Sequence, residues 1–423
     1  KAMKATFFLC AGLLALASAV PAAAQRQPSG FLHNQWQQLF PLGWYELPND
    51  DAELRTLAEA GVNLVRCRHR ADLDRARAAD LMGWVPLPLE QGADEKGGLR
   101  QLVEAVKDHP ALAVWEGPDE IVWNFTAYSG LYRSGVYRSA DEWWQQTPLA
   151  VQRSEAEAAR ILPRYREGLQ LVRRLDPKRR PIWLNEAAQS DLKFVREFLT
   201  GVDITGCDIY PIHDTNRRPW VVADYTERYK QAGQGRPVWM VLQGFSWHEL
   251  KPPKDKTLVY PSFAESRLMA WASIAHGAKG ILYWGTEFVP KTAPFRESLL
   301  TLASELAALQ PFLVARQETG VKVVLVESEG RPKEGHRGVS LVARRSGREW
   351  LMVLANEDEQ PHLGVEVIGI GRLNGRELEQ LYGPENVTVK AGGFVTRLKP
   401  LEVKAFATSR KWEGARRAAR EFQ

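Results

Sequence analysis

Cysteine is scarce: the chain of 423 residues has three, at positions 10, 67 and 207. That excludes a disulfide-built scaffold, and with no His/Cys/Asp/Glu run at metal-ligand spacing no metal is expected. His69, His213 and His248 stand apart without such spacing. A dominant charge is also missing. Lys and Arg number 56 against 51 Asp and Glu, and two units of the +5 balance sit on Lys1 and Lys4, so nucleic acid is not an expected partner. No apolar run is long enough to cross a bilayer. A dinucleotide loop is absent as well: Gly369-Ile370-Gly371-Arg372-Leu373-Asn374 lacks its third glycine. No cofactor is expected.

The chain opens with a leader pattern. Lys1 and Lys4 precede an apolar run over residues 7–20 and then Ala22-Ala23-Ala24-Gln25, a small-residue cleavage site. Residues 1–24 therefore read as a signal peptide, and the mature protein as secreted or periplasmic, without membrane insertion. Removal of Cys10 leaves Cys67 and Cys207, which fall in separate strand-like runs and read as two buried free thiols. Basic residues gather at the far end, in a tail at 409–423 containing Arg410, Lys411, Arg416, Arg417 and Arg420.

Between residues 25 and 316 short apolar runs alternate with helical periodicity, the order of a parallel sheet covered by helices. Strand candidates lie at 41–47, 62–68, 84–89, 112–116, 181–185, 204–212, 238–243 and 280–284. Eight such staves predict a closed (β/α)8 barrel, in preference to an open doubly wound sheet. Asn49 reads as the N-cap of the first helix, Leu54, Leu57 and Ala58 as its buried face, and Gly61 as its stop. From 317 to 408 strands follow without helices, at 321–327, 338–344, 350–355, 364–367, 387–389 and 403–407. These predict an antiparallel β-sandwich whose expected role is support packed against the barrel.

A barrel gathers its strand ends at one rim, so the polar residues at those ends are the candidate site. The most informative is the segment Trp115-Glu116-Gly117-Pro118-Asp119-Glu120, where a buried strand runs through a turn into paired carboxylates. Glu120 is the candidate proton donor, with Asp119 orienting or tuning it. Glu186 and Asp208 are the further catalytic candidates. Trp44, Glu116, Trp123, Tyr210, Gln243, Trp284 and Glu287 are candidates for holding substrate. Plain structural roles compete: Glu186 in an ion pair, Asp208 satisfying backbone amides, Glu287 exposed. A long connection after Glu120 carries Trp123, Phe125, Tyr128, Tyr132, Tyr137, Trp143 and Trp144, and such aromatics suit the C–H faces of sugars. Gly244-Phe245-Ser246-Trp247-His248 lacks the last glycine of a nucleophile elbow and is assigned to the strand-seven loop.

On these residues the chain resembles the glycoside hydrolases built on the (β/α)8 barrel with a proton-donor Glu ending strand four. His109-Pro110-Ala111-Leu112 leading to Asp119-Glu120 is similar to their strand-four region, Cys207-Asp208-Ile209-Tyr210-Pro211 to strand six, and Tyr283-Trp284-Gly285 to strand eight. The resemblance implies hydrolysis of O-glycosidic bonds in an oligo- or polysaccharide. It departs at two points: Asp119 stands where that superfamily has Asn, and Gln243 where it has the nucleophilic Glu. An amide cannot attack, so three routes remain. Inversion with Glu186, Asp208 or Glu287 as base ranks first. Attack by a substrate acetamide, which the similarity of Asp119-Glu120 to the hexosaminidase Asp-Glu pair implies, ranks second. Glycan binding without catalysis ranks third.

Overall fold

The computed structural model describes residues 29–415 except 35, 94–97, 129–144, 251–256 and 327–336. The expected leader at 1–24, Cys10, the loop aromatics Tyr132, Tyr137, Trp143 and Trp144, and the tail residues Arg416, Arg417 and Arg420 lie outside them.

Eight parallel strands close into a barrel in chain order: β1 (Leu42–Trp44), β2 (Leu64–Arg66), β3 (Met82–Pro86), β4 (Leu112–Glu116), β5 (Ile182–Leu184), β6 (Ile204–Ile209), β7 (Val238–Gln243) and β8 (Gly280–Trp284). All eight lie within the runs read from the sequence, apart from the start of β3 at Met82. Closure pairs Leu42 with Ile281 and Trp44 with Tyr283. Gly43 is required there, since a Cβ would stand 2.4 Å from Leu282 Cγ.

Side chains alternate across the barrel wall. Tyr45, Leu64, Trp84, Val114, Trp183, Ile204, Trp239 and Leu282 form the interior cluster, whereas Trp44, Trp115, Leu184, Cys207, Met240 and Tyr283 belong to the layer beneath the helices. The interior is filled by indoles: Trp84 meets Trp183 edge-on at 5.9 Å, and Trp183 meets Trp239 at 5.4 Å. Trp239 Nε1 donates to Gly30 O, so the segment before β1 plugs the base.

The covering helices are α1 (Asp51–Glu59), α2 (Arg70–Ala78), α3 (Gly98–Val106), α4 (Pro148–Leu175), α5 (Leu192–Phe198), α6 (Val221–Gly233), α7 (Phe263–Ala275) and α8 (Pro294–Ala308). The cap of α1 is Asp50, which accepts from Ala52 N, one residue beyond the expected Asn49. A shorter first turn satisfies the same orphan amides. Helix α4 runs 28 residues from a Thr147 cap.

The second unit is a sandwich of a three-stranded sheet, in the order β9 (Lys322–Leu325), β12 (His362–Ile368), β15 (Gly393–Leu398), on a five-stranded one. The latter runs β10 (Val339–Ser346), β11 (Glu349–Asn356), β16 (Val403–Ala407), β13 (Glu377–Leu381), β14 (Val387–Thr388). Met352, Leu354, Val365, Val367, Phe394 and Phe406 fill the space between the sheets. Leu351, Val353, Ala355, Ala405 and Ala407 point the other way and join the barrel's outer layer, where α7 packs on β10, β11 and β16. Burial on both faces explains why these strands read as continuous apolar runs. Cys67 and Cys207 are both buried and free.

Candidate active site

The alternation that fills the barrel also decides what its rim presents. Continuing inward positions to the strand ends gives Tyr45, Arg66, Glu116, Asn185, Asp208, Gln243 and Trp284. Glu116 is fully buried and accepts from Arg66 Nε at 2.9 Å, Trp84 Nε1 at 3.0 Å and Tyr45 OH at 3.2 Å. Burial raises its carboxyl to about 7 even though Arg66 opposes the shift. It anchors the rim and offers nothing to a ligand.

After Glu116 the chain turns through Gly117 and Pro118, and Glu120 takes a left-handed conformation with φ 50° and ψ 39°. Such a backbone costs a glutamate on the order of 1–3 kcal/mol. Hydrogen bonds hold it there: Glu120 N–H donates to Asn185 O at 3.1 Å, and Asn124 N–H donates to Glu120 O at 2.8 Å. Glu186 secures the next turn, its Oε1 accepting from Val122 N at 2.9 Å and its Oε2 from Trp123 N at 3.3 Å and Ser190 Oγ at 3.0 Å.

The strained turn presents Glu120 to the tip of β6. Its half-buried carboxyl lines the same cleft as Asp208 and Tyr210, near enough to Asp208 for each charge to act on the other. Two neighbouring carboxylates repel, which favours keeping a proton on one of them. Burial first, then the charge of Asp208, hold Glu120 well above the usual carboxylate range. Burial raises Asp208 too, with the Asp119 charge adding to it. Asp119 stands beside the pair with its side chain about one-third exposed. It accepts from Asn185 Nδ2 at 3.0 Å and Tyr45 OH at 3.5 Å, with an Arg66 nitrogen 3.9 Å away.

A cleft of about 570 Å³ opens over this group, with Glu120, Asp208 and Tyr210 in its wall and Trp123, His213, Arg218 and Trp247 around it. Tyr210 stacks on Trp284 at 5.4 Å, and His213 on Trp247 at 4.8 Å. The arrangement offers a protonated acid, an adjacent carboxylate and aromatic faces in one concave site.

Of the sequence candidates, Glu120, Asp119, Asp208, Tyr210, Trp123 and Trp284 come together here. Four do not. Trp44 is buried outside the barrel wall and Tyr45 takes the inward place, one residue on. Glu186 stands one residue past the inward Asn185 and is consumed as a helix cap. Gln243 points inward, but Oε1 accepts from Ile212 N at 2.9 Å while Nε2 donates to Ile212 O and Phe245 O, leaving no group for a sugar hydroxyl. Glu287 is exposed in a separate recess with Glu46. Sequence reasoning missed Tyr45, Arg66, Asn185 and Trp247. The first three obey the same strand-end rule that selected the others; Trp44 and Glu186 stood in the places of their neighbours Tyr45 and Asn185.

No protein family and no curated protein matches the sequence. Solved structures similar in fold include glycoside hydrolases. A beta-galactosidase from Bacillus circulans sp. alkalophilus aligns at TM-score 0.53 and 10% identity, over 88% of this chain and 99% of its own. An alpha-amylase from Geobacillus thermoleovorans aligns at 0.50 and 10%, over 88% and 99%. A beta-galactosidase from the psychrophilic Marinomonas ef1 gives 0.44 and 15% over 64% of this chain, which spans 60% of that protein's length. At such identities the likeness is one of fold.

Proposed function

We propose that this chain is an exported glycoside hydrolase with Glu120 as its general acid. The observation that carries the reading is the placing of Glu120 and Asp208 side by side in the wall of an aromatic cleft at the barrel rim. A donor must still hold its proton at working pH, and burial together with the Asp208 charge keeps Glu120 protonated. Its half-exposed carboxyl then protonates the leaving glycosidic oxygen. Trp123, Tyr210, Trp247 and Trp284 supply faces for sugar rings.

The second group is argued by elimination. Retaining enzymes keep their two carboxyls about 5–5.5 Å apart and inverting ones about 6.5–9.5 Å. Asp208 adjoins Glu120 and raises it by its charge, a role that sets it beside the acid and not across the sugar from it. Glu186 is spent on a helix cap and Gln243 on the backbone. Substrate assistance therefore moves ahead of inversion. A 2-acetamido oxygen bonds to the anomeric carbon as the glycosidic bond breaks and Glu120 gives up its proton. Water then reopens the ring intermediate, and the Glu120 carboxylate takes the proton back. Burial raises the Asp119 carboxyl while Arg66, Asn185 and Tyr45 oppose the rise, and in its ionised form it accepts the acetamide N–H. Export rests on the leader pattern at 1–24.

The test is a panel of aryl glycosides with and without 2-acetamido groups, with NMR of the first product. Cleavage confined to 2-acetamido sugars with a retained anomer is expected, and its loss in Glu120→Gln. An inverted first product would select the water route. Unchanged turnover by Glu120→Gln would remove the acid. Binding without cleavage across the panel would select a glycan-binding protein, the reading that the locked amide of Gln243 favours.

A further inference from the structure

We infer that Asn185 is the positioning residue that makes Asp119 and Glu120 differ, keeping the first as an acceptor while fixing the second as a donor. The inference rests on the proposed roles of these two acids. Asn185 is 2% exposed and touches the pair through two different groups. Its side-chain Nδ2 donates to Asp119 Oδ1 at 3.0 Å, and its main-chain oxygen accepts from Glu120 N–H at 3.1 Å. A carboxylate has only acceptors, so the amide orientation is fixed: nitrogen faces Asp119. The place of Asn185 is fixed as well. β6 presses against it so closely that a Cβ on Gly206 would lie 2.8 Å from Asn185 Cα, and two residues further along the same strand is Asp208.

The two contacts act in opposite senses. A hydrogen bond given to Asp119 favours its charged form. The main-chain bond leaves the Glu120 carboxyl without a donor and instead holds the left-handed turn that brings it against Asp208. Asn185 thus opposes the burial that raises Asp119, while its bond to Glu120 reaches the main chain alone. The groups facing Asp119 from every packed element are Arg66 on β2, Tyr45 after β1, Glu116 on β4 and Tyr210 after β6, besides Asn185, Glu120 and Asp208. Within that set Arg66 is the cation, at 3.9 Å from Asp119, so the 3.0 Å amide is its shortest stabilising contact.

The experiment is a carboxyl-carbon NMR titration of the full chain for wild type, Asn185→Ala and the isosteric Asn185→Asp, with Asp119 assigned from Asp119→Asn. Both variants keep the main-chain bond to Glu120. The midpoint of Asp119 is expected to rise by about one pH unit in Asn185→Ala and by more in Asn185→Asp, where a second carboxyl replaces the donor. Glu120 is expected to keep its high midpoint in Asn185→Ala. An unmoved Asp119 in both variants would overturn the inference. So would equal displacement of Asp119, Glu120 and Asp208 in Asn185→Ala, the mark of a collapsed strand tip. The titration needs no turnover, so it stands or falls separately from glycosidase activity. Where a cleaved glycoside is in hand, a rise in the acid limb of kcat/KM with the alkaline limb unmoved is the matching kinetic result.

Discussion

Replacing Glu186 by Gln should reverse the ranking of variant and wild type between pH 5 and pH 8. Glu186 is 1% exposed, and burial pushes its carboxyl up to about 8 from an ordinary 4.5, against the pull of hydrogen bonds from Val122, Ser190 and Trp123. The folded state thus keeps a proton that the unfolded chain releases above pH 4.5. Its benefit is complete below that pH and is lost as the pH rises toward 8. Each pH unit of the gap corresponds to about 1.4 kcal/mol, so the loss is on the order of 3–5 kcal/mol. Glutamine does not titrate, but its NH2 faces Trp123 N–H, donor against donor, at a cost of about 1–2 kcal/mol at all pH values. The variant should therefore be the weaker protein at pH 5 and the equal or stronger one at pH 8. Urea unfolding followed by tryptophan fluorescence reads this directly, because Trp84, Trp183 and Trp239 are fully buried in the barrel. Glu116 and Asp208 tilt both proteins alike, so the difference between the two curves isolates Glu186. A difference that stays constant from pH 5 to pH 8 would refute the assignment of a protonated, buried cap.

Asp208→Asn should lower the alkaline limb of any Glu120-dependent activity by about one to two pH units, since it removes a like charge but leaves burial in place. A pH–rate profile checks this, and an unmoved limb would separate the two acids. Gln243→Glu should not create a nucleophile. It sets a buried carboxylate against the carbonyls of Ile212 and Phe245, at a cost of about 2–4 kcal/mol, visible as a lower Tm with no gain on activated glycosides.

The barrel was legible because its strands are short apolar runs separated by amphipathic helices, and the eight-fold repeat leaves few other ways to bury them. The sandwich was less so. The strands Glu377–Leu381 and Gly393–Leu398 were not read, since Glu377, Glu379 and Gln380 interrupt the first and Thr396 and Arg397 the second. Both lie off the sheet's apolar centre, where pairing with β16 and β12 supplies what side-chain pattern does not. Tertiary pairing of this kind leaves little local trace.

At the rim two of the errors share one cause, the two-residue period of a strand. Trp44 and Glu186 are chemically attractive residues standing one place away from the inward-facing Tyr45 and Asn185. The barrel interior sets the parity: Trp84, Val114 and Trp183 face inward, which fixes Glu116 and Asn185 as inward on the same strands. Glu120 escapes the rule because it lies beyond β4, in a left-handed turn whose direction no strand pattern encodes. Its approach to Asp208 depends on contacts with Asn185 and Asn124, residues 65 positions downstream and four positions on. The candidate donor could thus be named from residue type and strand order. Its burial and its partner's proximity, which together raise the carboxyl above its usual range, required the fold.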